Sequence, residues 1–212
     1  MRKVIFLLMT TLVLTSDFAF SQNSIKRPDT YNYNRGVEEL RNENYDDALI
    51  YFNKEIENNP KNGYAFTWIA MICHTQEEYG RALTSVDLAL KNLPKKDSEF
   101  IAVTYNIGAG VYLALEDTIK ALNDYTSAIK VCPSDESSYE KRAQIYYEQK
   151  NYDLADNDYK QLIKLDQGGV MGYMGIGRNR NAQKLWDEAI EQFNFVANMY
   201  NDYSSAYSFR AE

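Results

Sequence analysis

The feature that most constrains this chain is the recurrence of small residues at a near-fixed interval. Ala48, Ala82, Ala121, Ala155 and Ala189 stand 34, 39, 34 and 34 residues apart. Four residues beyond each comes a large or branched side chain: Phe52, Val86, Tyr125, Tyr159 and Phe193. Twelve residues beyond come Pro60, Pro94 and Pro133, so three of the chain's 4 prolines share one register; Gln167 and Asn201 stand there in the last two units. A period of this length belongs to stacked supersecondary units, none of which can bury its apolar face alone.

The register continues upstream. Twelve residues before each alanine stand Gly36, Ala70, Ala109, Ala143 and Gly177, small enough for two helices to approach closely. Three residues before it stand Tyr45, Tyr79, Thr118, Tyr152 and Trp186, followed by Asp46, Gly80, Ile119, Asp153 and Asp187. The aspartates are placed to cap a second helix. Each unit therefore reads as helix, tight turn, helix, with Pro ending the second helix or sitting in the next turn. Ala48, Phe52 and Ile56 fall on one helical face, as do Ala82, Val86, Ala89 and Leu90.

This pattern resembles the tetratricopeptide repeat family over roughly residues 29–201. The resemblance rests on the small position, the turn aromatics Tyr45, Tyr79, Tyr152 and Trp186, the five alanines and the prolines. It implies an all-α fold, a right-handed α-solenoid of stacked helix-turn-helix repeats, at about residues 29–62, 63–96, 97–135, 136–169 and 170–203. Glu55 departs from the family's small residue, Thr118-Ile119 from its aromatic–acidic turn, and repeats four and five lack the closing Pro. The 39-residue interval places five extra residues near Lys95 to Glu99. A first helix lengthened by about one turn, capped by Asp97 or Ser98, accounts for them better than a surface linker. Phe100, Val103, Ile107 and Val111 already carry a helical stripe there. Residues 203–212 read as a capping helix or the start of a sixth repeat, with Tyr207 and Ala211 in the usual places.

The N-terminus reads as an export signal over residues 1–21, followed by a short linker over 22–28. Arg2 and Lys3 precede an apolar run from Val4 to Leu14, and Ala19-Phe20-Ser21 sets small residues before a cleavage ahead of Gln22. A retained anchor is the competing reading, but the run is short for a bilayer and Asp17 closes it. The expectation is an exported protein of bacterial type, periplasmic or extracellular, with no transmembrane span after signal removal. Hydrophobic residues at 45% and charged residues at 25% are the balance of a folded chain. A net charge of -7 argues against nucleic acid and anionic membranes as partners.

The tempting chemistry dissolves into the register. His74, the single histidine, has no nucleophile or ligand at a definable distance and reads as a satisfied or groove-facing side chain. Cys73 and Cys132 fall at different heights of the unit and read as buried thiols rather than a disulfide. The doublets Asp46-Asp47, Glu77-Glu78, Glu116-Asp117 and Asp187-Glu188 fall where helix caps belong, since adjacent helical residues do not face each other. The run from Gly168 to Gly177 lacks the order of a phosphate loop. No catalytic residue, metal site or cofactor is expected.

What remains is the surface that the resemblance implies for binding, the concave groove lined by first helices. By register it includes Tyr33, Asn34 and Val37; Tyr64, Thr67, Trp68 and Met71; and Asn106, Ile107 and Gly110. It continues with Glu140, Lys141 and Gln144, then Met174, Gly175 and Arg178. One half is aromatic and apolar, the other carries Lys141 and Arg178, so a protein or peptide partner with an apolar and an acidic part fits. The clamp by which some family members hold chaperone C-termini needs Lys and Asn where this chain has Tyr33, Val37 and Trp68. The expected function is a scaffold binding a peptide segment or helix of another protein. The alternative is a self-associating structural module, or a fragment of a larger sensor or envelope assembly protein.

Overall fold

The structure is a computed structural model and describes residues 25–165 and 169–199. The segments read as a signal (1–21) and as a sixth unit (203–212) lie outside the described residues. Those described form ten α-helices and no strand. They run as α1 Tyr31–Arg41, α2 Tyr45–Asn58, α3 Gly63–Thr75, α4 Tyr79–Asn92, α5 Ser98–Ala114, α6 Thr118–Val131, α7 Glu136–Glu148, α8 Tyr152–Leu165, α9 Val170–Ala182 and α10 Trp186–Met199. Two compact units divide between Phe100 and Ile101, so α5 starts in the first and continues in the second. α5 has 17 residues, four more than α3, α7 or α9 with 13, so the longer repeat is taken up as helix.

Four of the five first helices are capped by side chains, and the fifth, α9, starts at Gly169 with none. Thr30 Oγ1, Asn62 Oδ1, Asp97 Oδ1 and Asp135 Oδ2 accept from the backbone N–H of Tyr33, Ala65, Phe100 and Ser138 at 3.2–3.3 Å. Each such cap is worth about 1 kcal/mol. The second helices start differently. Glu43, Glu77, Glu116, Lys150 and Lys184 hold φ of 60–63°, the left-handed conformation that closes each intra-repeat turn. Asn44, Glu78 and Asp117 then serve as N-caps. Asp46, Asp153 and Asp187 thus fall inside the first turn and not at the cap, which corrects the expectation from sequence. The left-handed residue starts each helix earlier than its first aspartate, whose charge still favours the helix N-terminus.

In the first unit the small position is filled by its partner helix. A Cβ on Gly36 would lie 2.7 Å from the Phe52 ring. Ala48, Phe52, Ala82, Val86 and Ala89 are buried behind it. In the second unit the same logic gives successive clusters. Ala109, Ala121, Tyr125 and Ile145 pack together. Tyr139, Ala143, Ala155, Tyr159, Leu162 and Ile176 form the next, and Met174, Ala189, Phe193, Val196 and Ala197 the last. α9 is glycine-rich for packing: a Cβ on Gly177 would sit 2.3 Å from the Phe193 ring, and one on Gly175 2.4 Å from Tyr159. Both cysteines are buried and free, and burial pushes the Cys73 thiol up to about 11.

A candidate protein-binding surface

In the first unit, the residues predicted to line a groove are largely committed to one another. Trp68 is 3% exposed and donates through its indole N–H to the Tyr33 hydroxyl at 3.0 Å. Its ring meets Phe100 edge-on at 5.3 Å, and Tyr64 meets the same ring at 4.8 Å. The Tyr64 hydroxyl donates to Asp97 Oδ2 at 2.9 Å. Burial foremost, then the Asp97 carboxylate, holds that phenol well above its ordinary range. Met71 is buried as well, and Val37 is half-buried. The cause is local: α3 is apolar all round, and eleven of its 13 residues, Gly63 to Cys73, are buried.

His74, the next residue, is half-buried and tilted against Tyr79, with ring centroids 6.3 Å apart. Burial holds its imidazole below the ordinary value. Glu55, the departure noted in the first repeat, is 2% exposed and accepts from Thr30 Oγ1 at 2.5 Å and Asn62 Nδ2 at 2.9 Å. A carboxylate where a small residue is usual therefore ties the start of α1 to the start of α3.

In the second unit the first helices present a different surface. Asn106 is buried, donating to Asp135 Oδ2 at 2.8 Å and accepting from Ser138 Oγ at 2.6 Å. Met174 is buried in the last cluster. Lys141 is half-buried and Gln144 exposed, the latter donating to Glu148 at 3.1 Å. Arg178 is half-buried, its guanidinium 5.0 Å from the Tyr147 ring centre.

The neighbouring arginines are neutralised. Arg142 makes a two-point contact with Asp158 at 2.7 and 2.8 Å, and that hydrogen bonding raises its pKa. Arg180 reaches Asp156 at 2.6 Å and Glu188 at 2.9 Å. Among the described residues, no carboxylate lies in ion-pair contact with Lys141 or Arg178. The repeat puts Lys141 level with Gly175, three residues before Arg178, so both belong to one helical face. Among the described residues no group of three or more His, Cys, Asp or Glu could hold a metal ion. No helix there is long and apolar enough to cross a membrane.

Sequence reasoning missed Arg27, Asp97 and Tyr147 as contributors to these surfaces. Arg27 and Asp97 lie in a linker and at an irregular interval, where no register identifies them. Tyr147 does fall on the face of Lys141 and Gln144, so its spacing could have placed it.

Profiles described as tetratricopeptide repeat match residues 33–97 and 136–168. A small glutamine-rich tetratricopeptide repeat-containing protein 2 from Saccharomyces cerevisiae is 32% identical over 113 residues, 52% of this chain and 33% of the yeast protein. The chain thus spans about a third of that relative. Among solved structures, the C-terminal part of a TPR repeat-containing protein from Cytophaga hutchinsonii superposes with a TM-score of 0.73 at 16% identity, over 84% of this chain and 69% of that one. YrrB, described as a TPR protein with an unusual peptide-binding site, gives 0.65 at 14% identity over 96% and 98%. At such identities these likenesses show the fold, an α-solenoid of helical pairs.

Proposed function

As a chain built of tetratricopeptide repeats, a family of protein-interaction scaffolds, this protein is, we propose, a scaffold whose second unit binds an acidic segment of a partner protein along α7 and α9. The observation that carries the reading is the contrast among four cations. Arg142 and Arg180 are spent on Asp158 and Asp156, whereas Lys141 and Arg178 keep their charge available. Tyr147, under Arg178, and the exposed Met171 supply apolar area beside the charge. An extended segment with two or three carboxylates and an aromatic or aliphatic residue matches this surface. Partly desolvated charge pairs of this kind set register and on-rate as much as affinity.

The partner is met outside the cytoplasm on this reading, since residues 1–21 have the layout of an export signal. Sequencing the N-terminus of the protein from a periplasmic or culture fraction tests that part; a chain recovered with Met1 intact in the cytoplasm refutes it. Binding is tested by calorimetry of the chain with a peptide such as Asp-Glu-Phe-Ser-Asp-Leu, against a Lys141→Glu, Arg178→Glu variant. The expected result is a loss of at least about tenfold in affinity, or 1.4 kcal/mol. Equal affinity overturns the assignment of the face.

A further inference from the structure

In the first unit, the residues just ahead of α1 lie against the start of α5. Arg27, in the stretch before α1, reaches forward to the start of α5. Its guanidinium lies 3.8 Å from both Asp97 Oδ2 and Glu99 Oε2, and 5.2 Å from the centre of the Phe100 ring. Phe100 is the ring against which Tyr64 and Trp68 stand edge-on. Residues 27–30 are therefore held at both ends, by Arg27 at the start of α5 and by Thr30 on Glu55 in α2.

The seat does not need this occupant. Asp97 is 1% exposed, and its carboxylate already accepts from the Tyr64 hydroxyl and from the Phe100 N–H. Arg27 adds charge at a loose distance and stays 31% exposed. A complete anionic seat beside an aromatic face, holding a weakly attached guanidinium, has the chemistry of an exchangeable cation site.

We propose that Asp97, Glu99 and Phe100 form a binding site for an arginine- or lysine-bearing segment, and that residues 25–30 occupy it in cis as a displaceable competitor. The proposal extends the scaffold reading to the first unit and rests on that reading for its biological use, but not for its geometry. Only Pro28, Asp29 and Thr30 separate Arg27 from α1. A short tether gives an effective concentration of roughly millimolar, so a partner must exceed it, and the site answers only to segments of adequate affinity or abundance.

The test uses the full chain and a fluorescent peptide, Gln-Asn-Ser-Ile-Lys-Arg-Pro-Asp-Thr, the sequence of residues 22–30. By anisotropy, Arg27→Ala protein should bind this peptide roughly fivefold more tightly than the unaltered chain, because the cis occupant is gone. Adding Asp97→Asn should abolish that gain; Asn preserves the cap to Phe100, so the fold is kept and circular dichroism verifies it. The same peptide with its Arg replaced by Ala should not bind. Equal binding by the two proteins, or binding indifferent to Asp97→Asn, overturns the proposal. The acidic peptide run on the same samples separates the two readings. If it binds through Lys141 and Arg178 while the basic peptide fails, only the cis-occupied site falls. If the basic peptide alone binds as stated, the second-unit surface falls and this site stands.

Discussion

α3 and α7 are the first helices of the second and fourth repeats, one in each unit, and they face their surroundings in opposite ways. α3 buries eleven of its 13 residues, and its Trp68 and Tyr64 spend their polar atoms on Tyr33 and Asp97. α7 buries four of 13, Ser138, Tyr139, Ala143 and Ile145, and leaves Lys141 and Gln144 accessible. The difference teaches that register decides where a side chain starts, while neighbours decide whether it packs or binds. An aromatic at a groove position closes on the nearest ring, because a desolvated ring pair adds about 0.5–1.5 kcal/mol to its burial. A lysine there keeps its head in water and stays available.

The largest effect should come from testing α3 as core. Trp68→Ala should lower stability by about 3–5 kcal/mol, read by urea unfolding. A change under 1 kcal/mol would mean that the first unit is as open as the second. Glu55→Ala should cost about 1–3 kcal/mol, since Thr30 Oγ1 and Asn62 Nδ2 lose a buried acceptor. Glu55→Gln, which keeps one acceptor, should recover part of that loss. By contrast, Lys141→Glu with Arg178→Glu should shift stability by no more than about 0.5 kcal/mol while weakening acidic-peptide binding. A large stability loss in that variant would make the second-unit face structural too.

Two smaller effects sharpen the comparison. Glycine at Glu77 in the first unit or Lys150 in the second removes the Cβ from a left-handed residue. Each should raise stability, read from the urea midpoint, by up to about 1 kcal/mol less the added chain entropy. A rise in one unit but not in the other would show that the turns are not equivalent. The single histidine gives the smallest term. Because His74 has a lowered pKa when folded, the unfolded chain takes the proton first. Its contribution is therefore present above the ordinary histidine range and is lost as pH falls through it. Between pH 7.5 and pH 5.5 the urea midpoint of the natural chain should fall slightly more than that of His74→Gln. A pH slope identical in the two removes His74 as a contributor.

Much of the fold was legible because helical packing leaves a periodic mark. Gly36, Ala48 and Phe52 meet in space, so their spacing had to repeat, and the extra residues before Phe100 had to lengthen a helix once its stripe ran upstream. The candidate surface was legible in part. Lys141, Gln144 and Arg178 stand accessible at the positions that register assigned them, whereas Tyr33, Tyr64, Trp68, Met71, Asn106 and Met174 are buried. Nothing in the spacing of Trp68 states that Tyr33 will accept its N–H or that Phe100 will meet its ring.

The alternation of small, aromatic and turn residues by itself determined an all-α array of helical pairs. It also argued against a phosphate loop, because the run from Gly168 to Gly177 lacks that order and Gly177 falls at the repeat's small position. The tertiary structure alone decided which cations are spent and which polar tips are satisfied. It also brought Arg27 to Asp97, seventy residues along the chain. The reason is physical: periodicity encodes contacts between neighbouring helices, which recur with the repeat. Pairing of charges and hydrogen bonds depends on single distances that recur nowhere else in the sequence.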